Sequence, residues 1–378
     1  MYQIPVYQPF LSGNEKKYVN ECLDSNWISS KGKYISLFEK AFAEYVNIRY
    51  ATGVCNGTVA LHLAMLALGI SFGDEVIVPT LTYIASVNTI VYAGATPVFV
   101  DSIADTWQMN HQEVRKRITE RTKAILAVHL YGHPCDMSAL KEIADEYNLF
   151  LIEDCAEAIG SRYKNQYVGT FGDVATFSFY GNKTITTGEG GMVITNDQTI
   201  FDRLVHFKGQ GLAKYREYWH DIIGYNYRMT NICAAIGMAQ LEQINEIITK
   251  KRHIANLYKE LLSDSDFQVH PESTNVYHSY WMVSILVGSN NHRDLIRKYL
   301  AEAGIETRPV FYPVHTMPMY SQKYQRHQIA ENIGWRGINL PSYPNLTDKQ
   351  IRYICDCLKN CQVQQNIKFK TEHEFILP

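Results

Sequence analysis

Nowhere in its 378 residues does the sequence carry a CxxC pair, a GxGxxG turn or a GxxxxGK[S/T] loop. Zinc-ribbon and thioredoxin-type readings, the dinucleotide fingerprint and the Walker phosphate loop all lose their usual support. Charge of one sign is lacking too. Thirty-six Lys+Arg stand against 38 Asp+Glu, a formal charge of −2. A chain whose task was to coat nucleic acid or an anionic membrane would be far more basic. The longest mostly apolar stretch, 60–70, is too short to span a bilayer and includes His62. Met1-Tyr2-Gln3-Ile4-Pro5 shows neither a charged nor an apolar leader segment, so a cytoplasmic protein is expected. No internal repeat and no low-complexity tract is present.

What is there reads as a globular protein, with 46% hydrophobic and 20% charged residues. The length suits one large domain and one smaller one. The eight cysteines are scattered, and Cys155 and Cys233 lie in apolar runs expected to bury them. Cys357 and Cys361 would share a helix face, but no nearby His completes a site, so no metal is expected.

Between about 50 and 200, short apolar runs alternate with amphipathic ones. The runs 75–79, 97–101, 124–128 and 149–152 are continuously apolar, as strands covered on both faces should be. Helical patterns at 57–68 and 137–147 complete a strand–helix–strand alternation, which predicts a mostly parallel sheet with right-handed crossovers. Further strands are expected at 175–179 and 191–195, with a glycine-rich return between them. A long helix is expected from 230 through 262, bridging to a smaller α+β unit. That unit holds a strand at 280–287, a helix near 292–303 and a Pro-interrupted segment, 308–319. The division expected is 1–240, with an N-terminal arm, and 241–378. Beyond Cys361 the sequence is polar and unpatterned, which predicts a loose tail.

Ligands of open α/β sheets bind beyond the carboxyl ends of the strands, so the residues that follow each strand matter most. Asp154 ends one apolar run, and an aspartate there is costly unless it meets a cation. By itself it reads as a helix cap. Lys183 lies between a strand and a glycine cluster, one strand further on; alone it reads as a surface residue. Ser178 and Thr58 offer hydroxyls, and the Asn56-Gly57-Thr58 turn opens an apolar helix whose amides suit a phosphate. A phosphate cradle, an acid and a lysine at one sheet edge describe pyridoxal phosphate better than a nucleotide cofactor.

Glu153-Asp154-Cys155-Ala156-Glu157-Ala158, Thr176-Phe177-Ser178-Phe179-Tyr180-Gly181-Asn182-Lys183 and Thr186-Thr187-Gly188-Glu189-Gly190-Gly191-Met192 carry a family likeness. So do 26–30, 79–86, 128–132, 224–231 and 308–315. The chain resembles the DegT/DnrJ/EryC1/StrS nucleotide-sugar aminotransferases over nearly its whole length. The resemblance implies an aspartate-aminotransferase-like α/β fold (fold type I), pyridoxal 5'-phosphate, and pyridoxamine phosphate during turnover. It implies glutamate as amino donor and a GDP-linked 4-keto-6-deoxymannose as acceptor at C4, for O-antigen synthesis. Other 3- or 4-keto nucleotide sugars, and a sugar dehydratase, are the alternatives. Dehydratase relatives replace the lysine by histidine, whereas this chain keeps Lys183.

Carried over to this sequence, the resemblance gives Lys183 the covalent link to the cofactor and Asp154 its pyridine nitrogen. Gly57, Thr58 and Ser178 would hold the phosphate, Tyr83 would stack on the ring, and Glu157 would lie near the phenolic oxygen. Asn226 would reach the phosphate of a neighbouring subunit, which implies a homodimer with shared active sites. Trp27, Ser29, Arg308 and His315 are the candidates for substrate contact; for His315 a surface or domain-interface histidine is the alternative.

Overall fold

The computed structural model describes residues 3–288, 293–322 and 325–374, the last thirteen of these by backbone alone. Nine strands lie in the first 200 residues: β1 Tyr50–Val54, β2 Glu75–Pro79, β3 Thr96–Val100, β4 Thr122–Val128, β5 Phe150–Asp154, β6 Arg162–Tyr163, β7 Gln166–Tyr167, β8 Val174–Ser178 and β9 Gly191–Thr195. Seven of them form one sheet in the order β1-β9-β8-β5-β4-β2-β3. β2 runs parallel to β3 and β4, β4 to β5, and β5 to β8; β9 runs against both of its neighbours. The α/β fold with a mostly parallel sheet is therefore present, and the glycine-rich segment is the return between β8 and β9.

Most positions of the central strands are buried because helices cover both faces, whereas edge strand β3 is buried only at Phe99 and Val100. β2 is buried at every position, including Glu75 at its start, whose carboxylate accepts from Arg121 Nε at 2.9 Å and from Thr119 Oγ1 at 2.6 Å. The helix Gly57–Leu68 is capped by Asn56, whose Oδ1 accepts from Val59 N at 3.0 Å, and ends at left-handed Gly69 (φ 75°). Its residues are apolar all round, so it lies inside the core.

Four short strands form a second sheet in the order β10-β12-β14-β13, from β10 Gln268–Val269, β12 Val283–Leu286, β13 Arg308–Pro309 and β14 Gly337–Leu340. β11 Val276–Tyr277 instead pairs with β6, which pairs with β7. The N-terminal arm reaches the same region, with Gln3 N and Ile4 N donating to Gly304 O. Segments from both sides of position 240 thus share elements.

Three expectations are corrected. The helix expected over 230–262 is broken into Asn231–Glu242 and Ile244–Leu261 at Gln243 (φ −108°, ψ 5°). The N-terminal arm crosses there: Gln243 Oε1 accepts from Ser12 Oγ at 2.7 Å, and Gln240 Nε2 donates to Phe10 O at 2.7 Å. The loose tail expected after Cys361 is helical backbone instead, within Asp348–Glu374. Once Ile351, Ile354 and Leu358 anchor the first turns in the core, each added residue gains a hydrogen bond without a new nucleus. Residues 375–378 of that tail lie outside the described residues. Cys155 is buried as expected, whereas Cys233 is half-buried.

Gly237 packs where a side chain would not fit, since a Cβ would lie 2.6 Å from the Phe38 ring. Gly237→Val should destabilise the chain by about 1–3 kcal/mol through overpacking. Urea denaturation checks this; an unchanged midpoint would contradict the close contact.

Candidate active site

At the carboxyl edge of the seven-stranded sheet lies a cavity of about 690 Å³, also lined by Trp281, Met282, Arg308, Phe311 and Asn339 from the second sheet and its flanks. The sheet delivers the floor. Asp154 is the last residue of β5, Ser178 the last of β8, and Asn56 to Thr58 follow β1. Tyr83 follows β2, and Lys183 sits in the return between β8 and β9. Strand ends from distant parts of the sequence thus converge on one opening.

Asp154 is 5% exposed. Its Oδ2 accepts from Ser86 Oγ at 2.7 Å and its Oδ1 from Ala156 N at 3.1 Å. Burial raises its carboxyl above the usual aspartate range, and those two donors oppose the rise. Lys183 Nζ stands 3.8 Å from Glu157 Oε1 and 3.9 Å from the Trp281 ring centroid. Burial lowers its amine below the usual lysine range, while Glu157 and Asp154 favour the charged form. Glu157 is held by Tyr131 N, which donates to Oε2 at 2.8 Å, and burial pushes its carboxyl up to about 7. An amine and two carboxyls, all shifted by burial toward neutral pH, can exchange protons at little cost.

The phosphate side is a gap kept open by a glycine. A Cβ on Gly57 would lie 2.7 Å from Ser178 Cβ, so only glycine lets the helix start come this close to the serine. The Asn56 cap serves Val59 N, which leaves the Gly57 and Thr58 amides at the helix start to face the cavity. Lysine, buried acid, helix N-terminus, serine and the half-exposed Tyr83 ring together fit pyridoxal phosphate by their chemistry.

The remaining candidates fall on both sides of the cavity wall. Arg308 lines it, with Nη2 3.5 Å from Glu306 Oε1. Asn226 does not line it; its Oδ1 accepts from Arg228 Nε at 3.0 Å. Trp27 opens on a separate groove with Cys22, Lys33 and Asn231, and the exposed Ser29 accepts from Asn231 N through its carbonyl at 2.6 Å. His315 departs from its expectation. It is buried away from the cavity, with Nδ1 2.7 Å from Thr80 Oγ1 and Nε2 3.1 Å from Glu331 Oε1, so both ring nitrogens are engaged. Sequence reasoning missed Trp281, Tyr131 and the role of Ser86. Ser86 and Tyr131 lay within segments already singled out, though with no role assigned; Trp281 gave no signal tying it to the lysine.

Comparisons with known proteins agree with this chemistry. A model of the DegT/DnrJ/EryC1/StrS aminotransferase family matches residues 9–359. The chain is 67% identical to GDP-perosamine synthase of Escherichia coli O157:H7, over 95% of this chain and 98% of that one. It is 54% identical to GDP-perosamine synthase of Vibrio cholerae, over 94% and 98%. Among solved structures, the PLP-form of Spr1654 from Streptococcus pneumoniae superposes with a TM-score of 0.91 at 28% identity, covering 96% of this chain and 99% of that one.

A carboxyl whose folded-state value is raised binds its proton more tightly when folded, so its contribution to stability is lost as pH climbs from the unfolded value toward the folded one. For Glu157 that window runs from the ordinary carboxyl value of 4.5 to about 7. In the cofactor-free chain, Glu157→Gln should therefore gain on the wild type between pH 5 and 7.5 by on the order of 2 kcal/mol. Urea denaturation at the two pH values checks this, and parallel curves would contradict it.

Proposed function

Since the chain belongs to the DegT/DnrJ/EryC1/StrS aminotransferase family, we propose that it moves an amino group from glutamate to C4 of GDP-4-keto-6-deoxy-D-mannose. The product is GDP-perosamine, a precursor for O-antigen polysaccharide. The chain is a pyridoxal-phosphate-dependent nucleotide-sugar aminotransferase. The observation that carries the chemistry is the meeting of Lys183 with the buried carboxyls of Asp154 and Glu157 in one cavity. The sugar rests on the 67% and 54% identical relatives.

When bound, pyridoxal phosphate supplies a carbonyl that captures amines and a ring that takes up the electron pair left by a broken C–H bond. Gly57, Thr58 and Ser178 would hold its phosphate, Tyr83 its ring face, Glu157 its phenolic side and Lys183 its carbonyl carbon. Asp154 would hold the proton on the ring nitrogen. Fixed there by Ser86 and Ala156, it needs no reorganisation as charge develops. Lys183, once its amine is free, takes a proton from one carbon and returns it to another. Its lowered basicity lets it do both near neutral pH. Arg308, at the cavity wall, is placed to meet an anionic part of the substrate.

The working unit is a homodimer with shared sites, in the cytoplasm. Asn226, Trp27 and Ser29 lie away from their own chain's cavity, which supports their acting on that of a second copy, Asn226 on its phosphate. The loop 212–223 supports the same reading, with Tyr215, Tyr218 and Ile223 at 73%, 92% and 88% exposure. No helix among the described residues is long and apolar enough to cross a membrane.

Glutamate added to the purified enzyme should bleach the cofactor's long-wavelength absorbance. GDP-4-keto-6-deoxymannose should then restore it and yield an aminosugar. Bleaching without recovery would discard this sugar. Lys183→Ala should lose ~10⁴-fold in turnover, and Asp154→Asn ~10²-fold, with cofactor affinity less affected. Steady-state rates and cofactor titration check both, and wild-type rates in either variant would remove that residue from the mechanism.

A further inference from the structure

Two groups outside the lysine's own segment meet its nitrogen. Glu157 Oε1 lies 3.8 Å from Lys183 Nζ, and the Trp281 ring centroid lies 3.9 Å from the same atom. A carboxylate and the face of an indole share one preference: both attract an ammonium, and neither gains much from a neutral amine. Tyr131 braces them together. Its backbone N–H holds Glu157 Oε2 at 2.8 Å, while its ring stacks on Trp281 at 6.0 Å and 11°. To do both it adopts a left-handed backbone, φ 57°, unusual for an aromatic residue, and its hydroxyl accepts from Phe311 N at 2.9 Å. Trp281 is anchored in turn, donating from Nε1 to the carbonyl of Asn182, next to the lysine, at 2.6 Å.

We propose that Glu157 and Trp281 form a two-part seat, braced by Tyr131, that holds the ε-amino group of Lys183 in its proton-carrying state between the two proton transfers. The proposal rests on the reading of Lys183 as the mobile base. The seat forms and breaks no covalent bond. It offsets part of the burial that otherwise favours the neutral amine, and it keeps Nζ within the cavity. Glu157 and Asp154 are the titratable groups that face Nζ, and Asp154 is committed to Ser86 and Ala156.

The test reads the amine without substrate. The full-length chain, freed of cofactor and checked for folding by circular dichroism, is treated with acetic anhydride across a pH series. Acetylation of the Lys183 peptide is followed by mass spectrometry. In Glu157→Gln and in Trp281→Leu the midpoint should fall by about one pH unit, or ~tenfold faster labelling below the midpoint. Trp281→Met replaces Trp281→Leu if that chain does not fold. Trp281→Phe keeps a ring face and should stay near the wild type. The alkaline limb of the enzyme's pH–rate profile should move with the labelling midpoint. An unchanged midpoint in either Glu157→Gln or the aliphatic Trp281 variant overturns the two-part seat. Failure of the ketosugar to accept the amine would leave the labelling result standing, so the two readings fail separately.

Discussion

A carboxylate buried at the end of a parallel strand is the constraint around which this molecule is arranged. Asp154 closes β5 at the bottom of a cavity, where burial disfavours its charge. Two neutral donors, Ser86 Oγ and Ala156 N, meet it on the protein side. They satisfy part of the carboxylate's hydrogen-bonding capacity and leave the rest facing the cavity. A cationic ring nitrogen placed there would gain an ion pair in a medium of low polarity. The same burial that makes a lone charge costly strengthens its preference for such a cation.

The residue before it shows what a purely structural carboxylate looks like. Successive side chains of a strand point to opposite faces, so Glu153 faces away from Asp154's side. Its Oε1 accepts from Phe171 N and Gly172 N, each at 2.8 Å. Its Oε2 accepts from Gly169 N at 2.7 Å and lies 3.1 Å from His129 Nε2. Cys135 N donates to His129 Nδ1 at 3.1 Å, so Nε2 carries the ring hydrogen and donates to Glu153. Glu153 is filled by protein donors and pins the segment leading into β8. Two adjacent acids therefore do opposite work, and only counting donors tells them apart.

That difference sets how much could be read from the sequence. The strands at 75–79, 124–128 and 191–195 were legible because continuous apolar runs mark burial on both faces. Asp154 and Lys183, which alone read as a helix cap and a surface residue, were legible only together at one sheet edge and through the family likeness. β1 was harder to see, since Tyr50-Ala51-Thr52-Gly53-Val54 is neither strongly apolar nor alternating, and pairing with β9 fixes it. The break at Gln243 has no proline or glycine to announce it; the crossing arm makes it. His315 stood as a substrate candidate beside a surface or domain-interface reading; Thr80, distant in sequence, and Glu331, sixteen residues on, engage its two nitrogens. Local pattern records burial and chemical type, whereas partners brought in by tertiary folding leave no local trace.

The lysine makes the point most sharply. The segment around it is glycine-rich, and a Cβ on Gly181 or Gly188 would meet nothing within 4 Å, so the loop has little packing of its own there. Beside local bonds such as Lys183 N to Tyr180 O at 2.9 Å, two long-range hydrogen bonds hold its backbone next to the reactive side chain. Tyr7 of the N-terminal arm donates to the Lys183 carbonyl at 2.5 Å, and Trp281 donates to the Asn182 carbonyl at 2.6 Å. The arm that carries Tyr7 is in turn tied to the C-terminal half through Gly304. The reactive nitrogen is therefore positioned by segments far from it in the chain as well as by the sheet that bears it. Losing either contact would loosen the backbone beside the base while leaving the strand-borne acid in place.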